Sequence, residues 1–363
     1  MKEWKKYKLG ELITLKYGKD HKKLNDGSFP VYGSGGVMRY GNDYIYDDSS
    51  ILIPRKGSLN NIMFVDKPFW TVDTMFWSII DQELVLPRFL YYTLCKYDFA
   101  GLNVGSAVPS LTVPVIESIE VVIPSIEKQK RILSLLVPLD DKIALNQRIN
   151  DNLEQQIQVI FNHYFTNEPY DCLLGDVVKT TSGGTPSRKI EDIYYNGSIP
   201  WVKSKELNGT FLFDTEEHIT ELGVNNSSAK LLPKNSVLIA MYGATVGEYA
   251  IISKTMCCNQ AVCALIPNDK IPYSYLLMIA KNRKYELINM AVGSAQQNIS
   301  QVLVKNLPIS SNYEIIANFN NATMSIFKEI KNNSSEIVKL MSIRDLLLPK
   351  LMSGELKINE MNN

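Results

Sequence analysis

The tetrapeptide VGSA occurs twice in this chain, at Val104–Ala107 and again at Val292–Ala295, 188 residues apart. The coincidence does not stand alone. KLGELITLKYG, beginning at Lys8, pairs with LLGDVVKTTSG from Leu173, which sets Gly10 against Gly175. SILIPRKG at Ser50–Gly57 pairs with SVLIAMYG at Ser236–Gly243, and TVDTM from Thr71 falls opposite CCNQA from Cys257. The offset grows from 165 to 186 and then holds near 188, so the second copy carries about twenty extra residues ahead of SVLIA. A repeated framework of this kind folds as related domains, alike in scaffold and different in loops. The length of 363 residues suits two domains and their connections better than one core.

Within each copy, short β-branched and aromatic runs are bounded by Gly, Pro, Asn and Asp, which reads as strands and turns. One helical pattern interrupts them each time, LPRFLYYTLCKYDF and IPYSYLLMIAKNRKYELINM. After each copy the period changes. PSIEKQKRILSLLV starts a helix at Ser125, with Glu127 in its first turn, and Pro138 is expected to break or kink it. Beyond it, Leu139, Ile143, Asn146, Asn150, Leu153, Ile157, Ile160 and Tyr164 fall at alternating spacings of four and three. From Asn312 and Glu314 the second copy does the same through Ile316, Phe319, Thr323, Ile326, Ile330, Asn333, Ile337 and Leu340. Both are coiled-coil seams. Neither is long enough to stand alone with asparagines in it, so the two helices are expected to pack on each other. The asparagines are either tolerated polar positions or fix the register. The expected fold class is α+β. Two repeated, mixed but mostly β domains (1–124 and 167–312) are joined by two long antiparallel coiled-coil helices (125–166 and 313–357), with pseudo-twofold symmetry.

Formal charge is zero, and each part balances its own: 14 basic against 14 acidic residues in 1–124, 13 against 13 in 167–312. This weighs against a generic, charge-driven DNA coat, which needs a basic excess, and leaves room for a sequence reader whose basic residues face one way. The opening stretch fits such a reader, with eight lysines in the first 23 residues against three acids. No apolar run is long enough to span a membrane and no export signal is seen. Five scattered cysteines without a CxxC pair fit reduced thiols and a cytoplasmic location. Catalysis finds no support either. No GxxxxGK[ST] loop occurs, GSGG at Gly33–Gly36 lacks a third spaced glycine, and there is no Pro-Pro of the kind an amino-methyltransferase tetrad contains. No nucleophile–base pattern is evident, and Cys257 and Cys258 read as buried thiols rather than metal ligands.

EKQKRI followed by LDDKIALNQRINDNLEQQIQVIFNHYF, SGGTPS with IPWVKSKEL, FPVYGSGGVMRYG, GSAQQNIS and LLLPKLMSGEL occur here in a telling order and spacing. Together they resemble the specificity (S) subunit of type I restriction–modification systems, over essentially the whole chain. The resemblance implies a non-catalytic subunit in which each repeat is a target recognition domain reading one half of a split, asymmetric site in double-stranded DNA. It implies helices that dock two modification (methyltransferase) subunits, with restriction (translocase and nuclease) subunits completing the complex. S-adenosylmethionine, ATP and Mg would belong to those partners, with no cofactor or metal in this chain. Two departures mark the first copy: GSAVPSLT lacks the Gln-Gln-Asn run, and RKGSLN replaces MYGATV with a basic loop. A helix from Ile126 to about His163 would span ~55 Å at ~1.5 Å per residue, enough to hold two readers over major grooves ~34 Å apart.

Candidate contacts are loop residues with forked or amide side chains, since Arg suits guanine and Asn or Gln suits adenine. In the first domain they are Lys19, Lys22, Tyr32, Ser34, Arg39, Arg55, Lys56, Ser58 and Asn60. In the second they are Thr185, Ser187, Arg188, Lys189, Lys203, Ser204, Lys205, Tyr242, Thr245, Gln296, Gln297 and Asn298. Trp70 and Trp201 read as core, and Asn259 and Gln260 as strand framework. The competing readings are a protein-binding scaffold of two β-rich domains on a coiled-coil strut, and an enzyme such as a nuclease with an unrecognised site. Basic residues gathered on one concave face of each domain would favour the DNA reader.

Overall fold

The computed structural model describes residues 4–103, 105, 108–291 and 298–356. The chain divides into two compact units, 1–141 with 340–363, and 142–339. Each long helix contributes one end to each unit.

In the first unit the strands Ile13–Tyr17, Met75–Ile80, Ser50–Pro54 and Met63–Val65 form an antiparallel sheet in that spatial order. Alternation fails on its central strands. Ser50–Pro54 is buried throughout, because a second layer covers the face that would otherwise meet water. That layer is a three-stranded sheet, in which Asp26–Gly33 pairs with Gly36–Gly41 and, in parallel, with Trp70–Thr71. Val31, Leu52, Phe69, Met75 and Trp77 fill the space between the layers. On the opposite face the helix Pro87–Leu94 packs Phe89 and Leu90 into a second core with Leu9, Ile51, Ile53 and Phe76.

The second unit repeats this plan. Lys179–Ser182, Val262–Ile266, Val237–Ala240 and Tyr249–Ile252 take the same order, with Phe211–Leu212 added at the edge. Tyr195–Val202 pairs with His218–Ile219 and, in parallel, with Cys257–Cys258. The extra residues of this copy form Arg188–Ile190, Glu191–Tyr194 and Glu221–Asn225, short helical turns beside the three-stranded sheet. In both units a short antiparallel pair ties the domain's first residues to its last: Trp4–Lys8 with Glu120–Pro124, and Cys172–Leu173 with Pro308–Ile309.

The repeat also accounts for a shared glycine. A Cβ on Gly18 would sit 2.0 Å from the Val72 carbonyl oxygen, and one on Gly183 would sit 1.9 Å from that of Cys258. At both positions the first strand's end passes against the backbone of the parallel strand, where any side chain collides.

The central helix runs from Ile126 to Phe165 without interruption. Of the two outcomes expected at Pro138, a break does not occur: the proline lies inside the helix. Ser134, whose carbonyl loses its helical donor to the proline, is exposed, as is Pro138 itself, so water can take the freed acceptor. The helix start is locked into the first unit by Gln129, fully buried and fully bonded. Its side chain accepts the Leu86 N–H (2.8 Å) and donates to the carbonyls of Leu84 (3.1 Å) and Pro124 (2.9 Å). The C-terminal helix spans Tyr313–Ser353.

Within the second unit the two helices pack antiparallel, Phe161 meeting Phe319 (5.5 Å between ring centres) while Asn150 meets Asn333. Ile143, Asn146, Asn150 and Ile157 are buried on one helix, and Ile316, Phe319, Thr323, Ile330 and Asn333 on the other. Leu153, Ile160, Ile326, Ile337 and, in the first unit, Leu340 are only partly covered, while Phe161 and Phe327, off the four–three pattern, are buried. The deepest side chains belong to the residues that also meet the domain, because each helix packs on its domain as well as on its neighbour.

Candidate nucleic-acid interface

In the first unit three loops converge. They are the segment after Ile13–Tyr17, the turn between Asp26–Gly33 and Gly36–Gly41, and the turn between Trp70–Thr71 and Met75–Ile80. An open cleft of about 610 Å³ lies between them, lined in part by Asp20, His21, Lys22, Ser34, Asp73 and Thr74. Lys22 and Ser34 are thus brought together. The loops are held by backbone bonds: Lys19 N–H to Thr71 O (2.9 Å), Val72 N–H to Tyr32 O (3.0 Å) and Arg55 N–H to Thr74 O (2.8 Å). Arg55 also lies over the Tyr17 ring at 5.4 Å. Lys19, Lys22 and Lys56 are exposed and, among the described residues, form no ion pair. Ser58 is exposed beside them and accepts the Asn61 N–H through its carbonyl.

Three first-domain candidates have other work. Arg39 donates to the Asp26 carboxylate (2.7 Å) and the Leu24 carbonyl (3.2 Å), closing its own hairpin's base. Asn60 bridges the Asp98 carboxylate (3.0 Å) and the Ala100 N–H (2.8 Å), so both ends of its amide are used. Tyr32 is half-buried with its ring edge-on to Phe69, and burial pushes its hydroxyl pKa up. Fork and amide chemistry alone does not separate a reader from a strut.

In the second unit more of the candidates have protein partners. Arg188 pairs with Glu191 and Glu217, Lys203 with Glu216 (3.2 Å) and Glu217 (2.8 Å), and Lys205 with Glu216 (2.6 Å). Arg188 also stacks on Tyr195 at 4.1 Å. Hydrogen bonds from Lys203, opposed by burial, hold the Glu217 carboxyl below the usual range. Here the zero net charge of the sequence reappears as local pairing of basic with acidic side chains. Lys189 is exposed and, among the described residues, without an ion pair, and the Ser187 side chain caps its N–H. Ser204 begins the turn after Lys203.

Tyr242 and Asn298 are joined by a β-bridge, and the Thr245 hydroxyl donates to the Tyr242 carbonyl (3.1 Å). The Asn298 side-chain oxygen is buried without a partner among the described residues. Gln296 and Gln297 lie outside the described residues. Trp201 is core, donating to Gly184 O (2.9 Å), and Trp70 donates to Lys19 O (3.0 Å).

Sequence reasoning missed Gln260, which is exposed and accepts from the Thr185 hydroxyl. Its neighbour Asn259 does serve the framework, accepting the Ala261 N–H (3.2 Å). The signal was available: TVDTM aligns with CCNQA, so Asp73 and Thr74 occupy the turn that Asn259 and Gln260 occupy in the second copy. Among the described residues no three His, Cys, Asp or Glu side chains gather as a metal site. Burial pushes the Cys257 thiol up to about 11 and the Cys263 thiol up to about 12, which leaves both inert near neutral pH. No described helix is long and apolar enough to cross a membrane.

Comparison with known proteins accounts for the pattern. The family model "Type I restriction modification DNA specificity domain" matches residues 1–155 and again 171–311. The HindI type I restriction enzyme specificity subunit of Haemophilus influenzae is 24% identical, covering 98% of this chain and all of its own. The MjaIX specificity subunit of Methanocaldococcus jannaschii is 27% identical over 87% of this chain and 80% of its own. A solved type I restriction–modification S subunit from M. genitalium shares the fold, with a TM-score of 0.60 and 17% identity over 96% of each chain. The protein therefore belongs to the type I restriction–modification DNA specificity family, whose members are the non-catalytic recognition component of such systems, and it carries two of the family's domains in tandem.

Proposed function

We propose that each domain reads one half of a split, asymmetric site in double-stranded DNA, and that the paired helices dock two modification subunits. The observation that carries this is the tandem framework. Two domains with the same strand order present different side chains at the same loops, which is what two different half-sites require. Leu145 and Ile149, exposed one turn apart on the central helix, support its use as a docking face. In this reading S-adenosylmethionine, ATP and Mg are bound by the modification and restriction subunits, this chain binds none of them, and the complex works in the cytoplasm.

The test is binding of the assembled methyltransferase to DNAs altered one base at a time across the site. Gln297→Ala should cost ~1–3 kcal/mol at a single base position of one half-site. Lys56→Ala, if it meets phosphate, should weaken all sequences evenly and reduce the salt dependence by about one charge. Should no loop substitution in either domain change base preference, the reading fails.

A further inference from the structure

The turn Val72–Met75 is the best-fixed part of the first unit's cleft. Met75 N–H closes it on Val72 O (3.0 Å). Val72 N–H ties it to the neighbouring sheet at Tyr32 O (3.0 Å), and the N–H groups of Arg55 and Lys56 both reach Thr74 O (2.8 and 3.2 Å). The Arg55 guanidinium approaches the Asp73 carbonyl oxygen at 3.4 Å. A side chain on this turn is therefore carried by a rigid backbone, as precise readout requires. Asp73 is exposed, lines the cleft, and its carboxylate has no hydrogen bond or ion pair among the described residues. By contrast, Asp20 across the cleft already accepts the Lys22 N–H (3.0 Å).

The contents of the cleft narrow what it can hold. Its open acceptors are the Asp73 carboxylate, the second oxygen of Asp20 and the hydroxyls of Thr74 and Ser34, and the His21 Nδ1 atom beside them is buried and unpartnered among the described residues. Met38 and Val72 supply apolar wall. Gly35 leaves one side empty, since a Cβ built there meets nothing within 4 Å. A phosphate would be repelled by Asp73. A base edge carrying an exocyclic amine would be accepted by it, with Lys22 and Lys56 at hand for the flanking phosphates.

The second domain offers independent support. At the equivalent turn Val262 N–H closes on Asn259 O (3.2 Å) and Met241 N–H reaches Ala261 O (2.7 Å), as Met75 and Arg55 do in the first domain. The backbone bonds thus set Gln260 opposite Asp73, one residue off the plain sequence alignment, and the same framework position carries an amide suited to adenine in the second domain.

We infer that Asp73 is a specificity-determining residue. Seated in this cleft, its carboxylate accepts from the amine of cytosine or adenine in the half-site read by the first domain. The inference rests on the DNA-reading function proposed above.

The assembled methyltransferase should be tested with Asp73→Ala and, separately, Gly35→Leu, on DNAs altered one base at a time. Asp73 makes no side-chain contact that the fold uses, so folding should be kept, and far-UV circular dichroism checks it. Asp73→Ala should lose on the order of tenfold in affinity at one base pair of one half-site. At that pair the parent complex should lose a similar factor against a base analogue lacking the amine, and the variant should be indifferent to the analogue. Whether the cytosine or the adenine analogue has this effect identifies the base. Gly35→Leu should weaken binding through the same half-site only. An Asp73→Ala complex with unchanged base preference, or with affinity altered equally at every position, overturns the inference while leaving the DNA reader in place. A parent complex without any base preference would instead overturn the function on which the inference rests.

Discussion

Asn150 sits in a buried polar layer between the two long helices of the second unit. Its side-chain amide donates to the Ser334 hydroxyl (3.1 Å) and its oxygen accepts from Asn333 Nδ2 (3.0 Å). One turn away, Asn146 donates to Glu336 (2.7 Å), which also pairs with Lys142 (3.4 Å). Asn150→Ala removes two hydrogen bonds, each contributing about 1 kcal/mol net, and strands the Asn333 donor, which costs about 1–2 kcal/mol more. The expected loss is therefore about 3–4 kcal/mol. Replacing Asn150 and Asn333 together by leucine removes donor and acceptor at once, and should cost far less than the single change or nothing. Urea unfolding of the full chain, followed by far-UV circular dichroism to which both helices contribute strongly, measures both. A single variant that loses under about 1 kcal/mol would show that the layer is not a satisfied network. A double variant as damaged as the single would show that the asparagines contribute net stability rather than register. That second result would refute the reasoning.

Further outcomes follow from the same geometry. Phe319→Ala should cost about 3–5 kcal/mol, because the ring is fully buried against Phe161 and Phe165, and thermal unfolding reads it. Gly183→Ala should destabilise by at least about 1–3 kcal/mol through its collision with the Cys258 carbonyl, whereas Gly35→Ala should be neutral. Glu217→Gln should weaken the hold on Lys203 and Arg188, raise affinity for unrelated DNA and steepen its salt dependence by about one charge. Glu217 is held below its ordinary pKa in the folded chain, so its pairing stabilises above the usual carboxylate range and is lost as pH falls through the depressed value. Glu217→Gln should accordingly flatten the acid side of a stability–pH profile.

The architecture was readable because repetition and period survive in sequence. The paired glycines Gly18 and Gly183 mark a close backbone approach and the two asparagine-bearing seams mark a helix contact, and such constraints leave a residue-type signature. Pro138 does not break its helix because the cost of a helical proline depends on whether the freed carbonyl faces water, which its exposure decides. The site was less legible for a related reason. Arg39, Asn60, Arg188 and Lys203 have the chemistry of base or phosphate ligands, yet each finds a protein partner brought in by folding: Asp26, Asp98, Glu191 with Glu217, and Glu216 with Glu217. Apart from Arg188 with Glu191, an i,i+3 pair, these partners lie between 13 and 38 positions away, where sequence gives no pairing rule. Conversely, Gln260 looked like strand framework because its strand neighbours are buried. Only its position at the turn shows that it is exposed.

The most direct test of the central claim is methylome sequencing of cells expressing this chain with the modification subunit proposed as its partner, compared with cells in which residues 171–311 are exchanged for another family member's domain. The account predicts a split adenine-methylated motif, of which one half changes on exchange while the other stays fixed. A continuous motif, or an exchange that alters both halves, would contradict it.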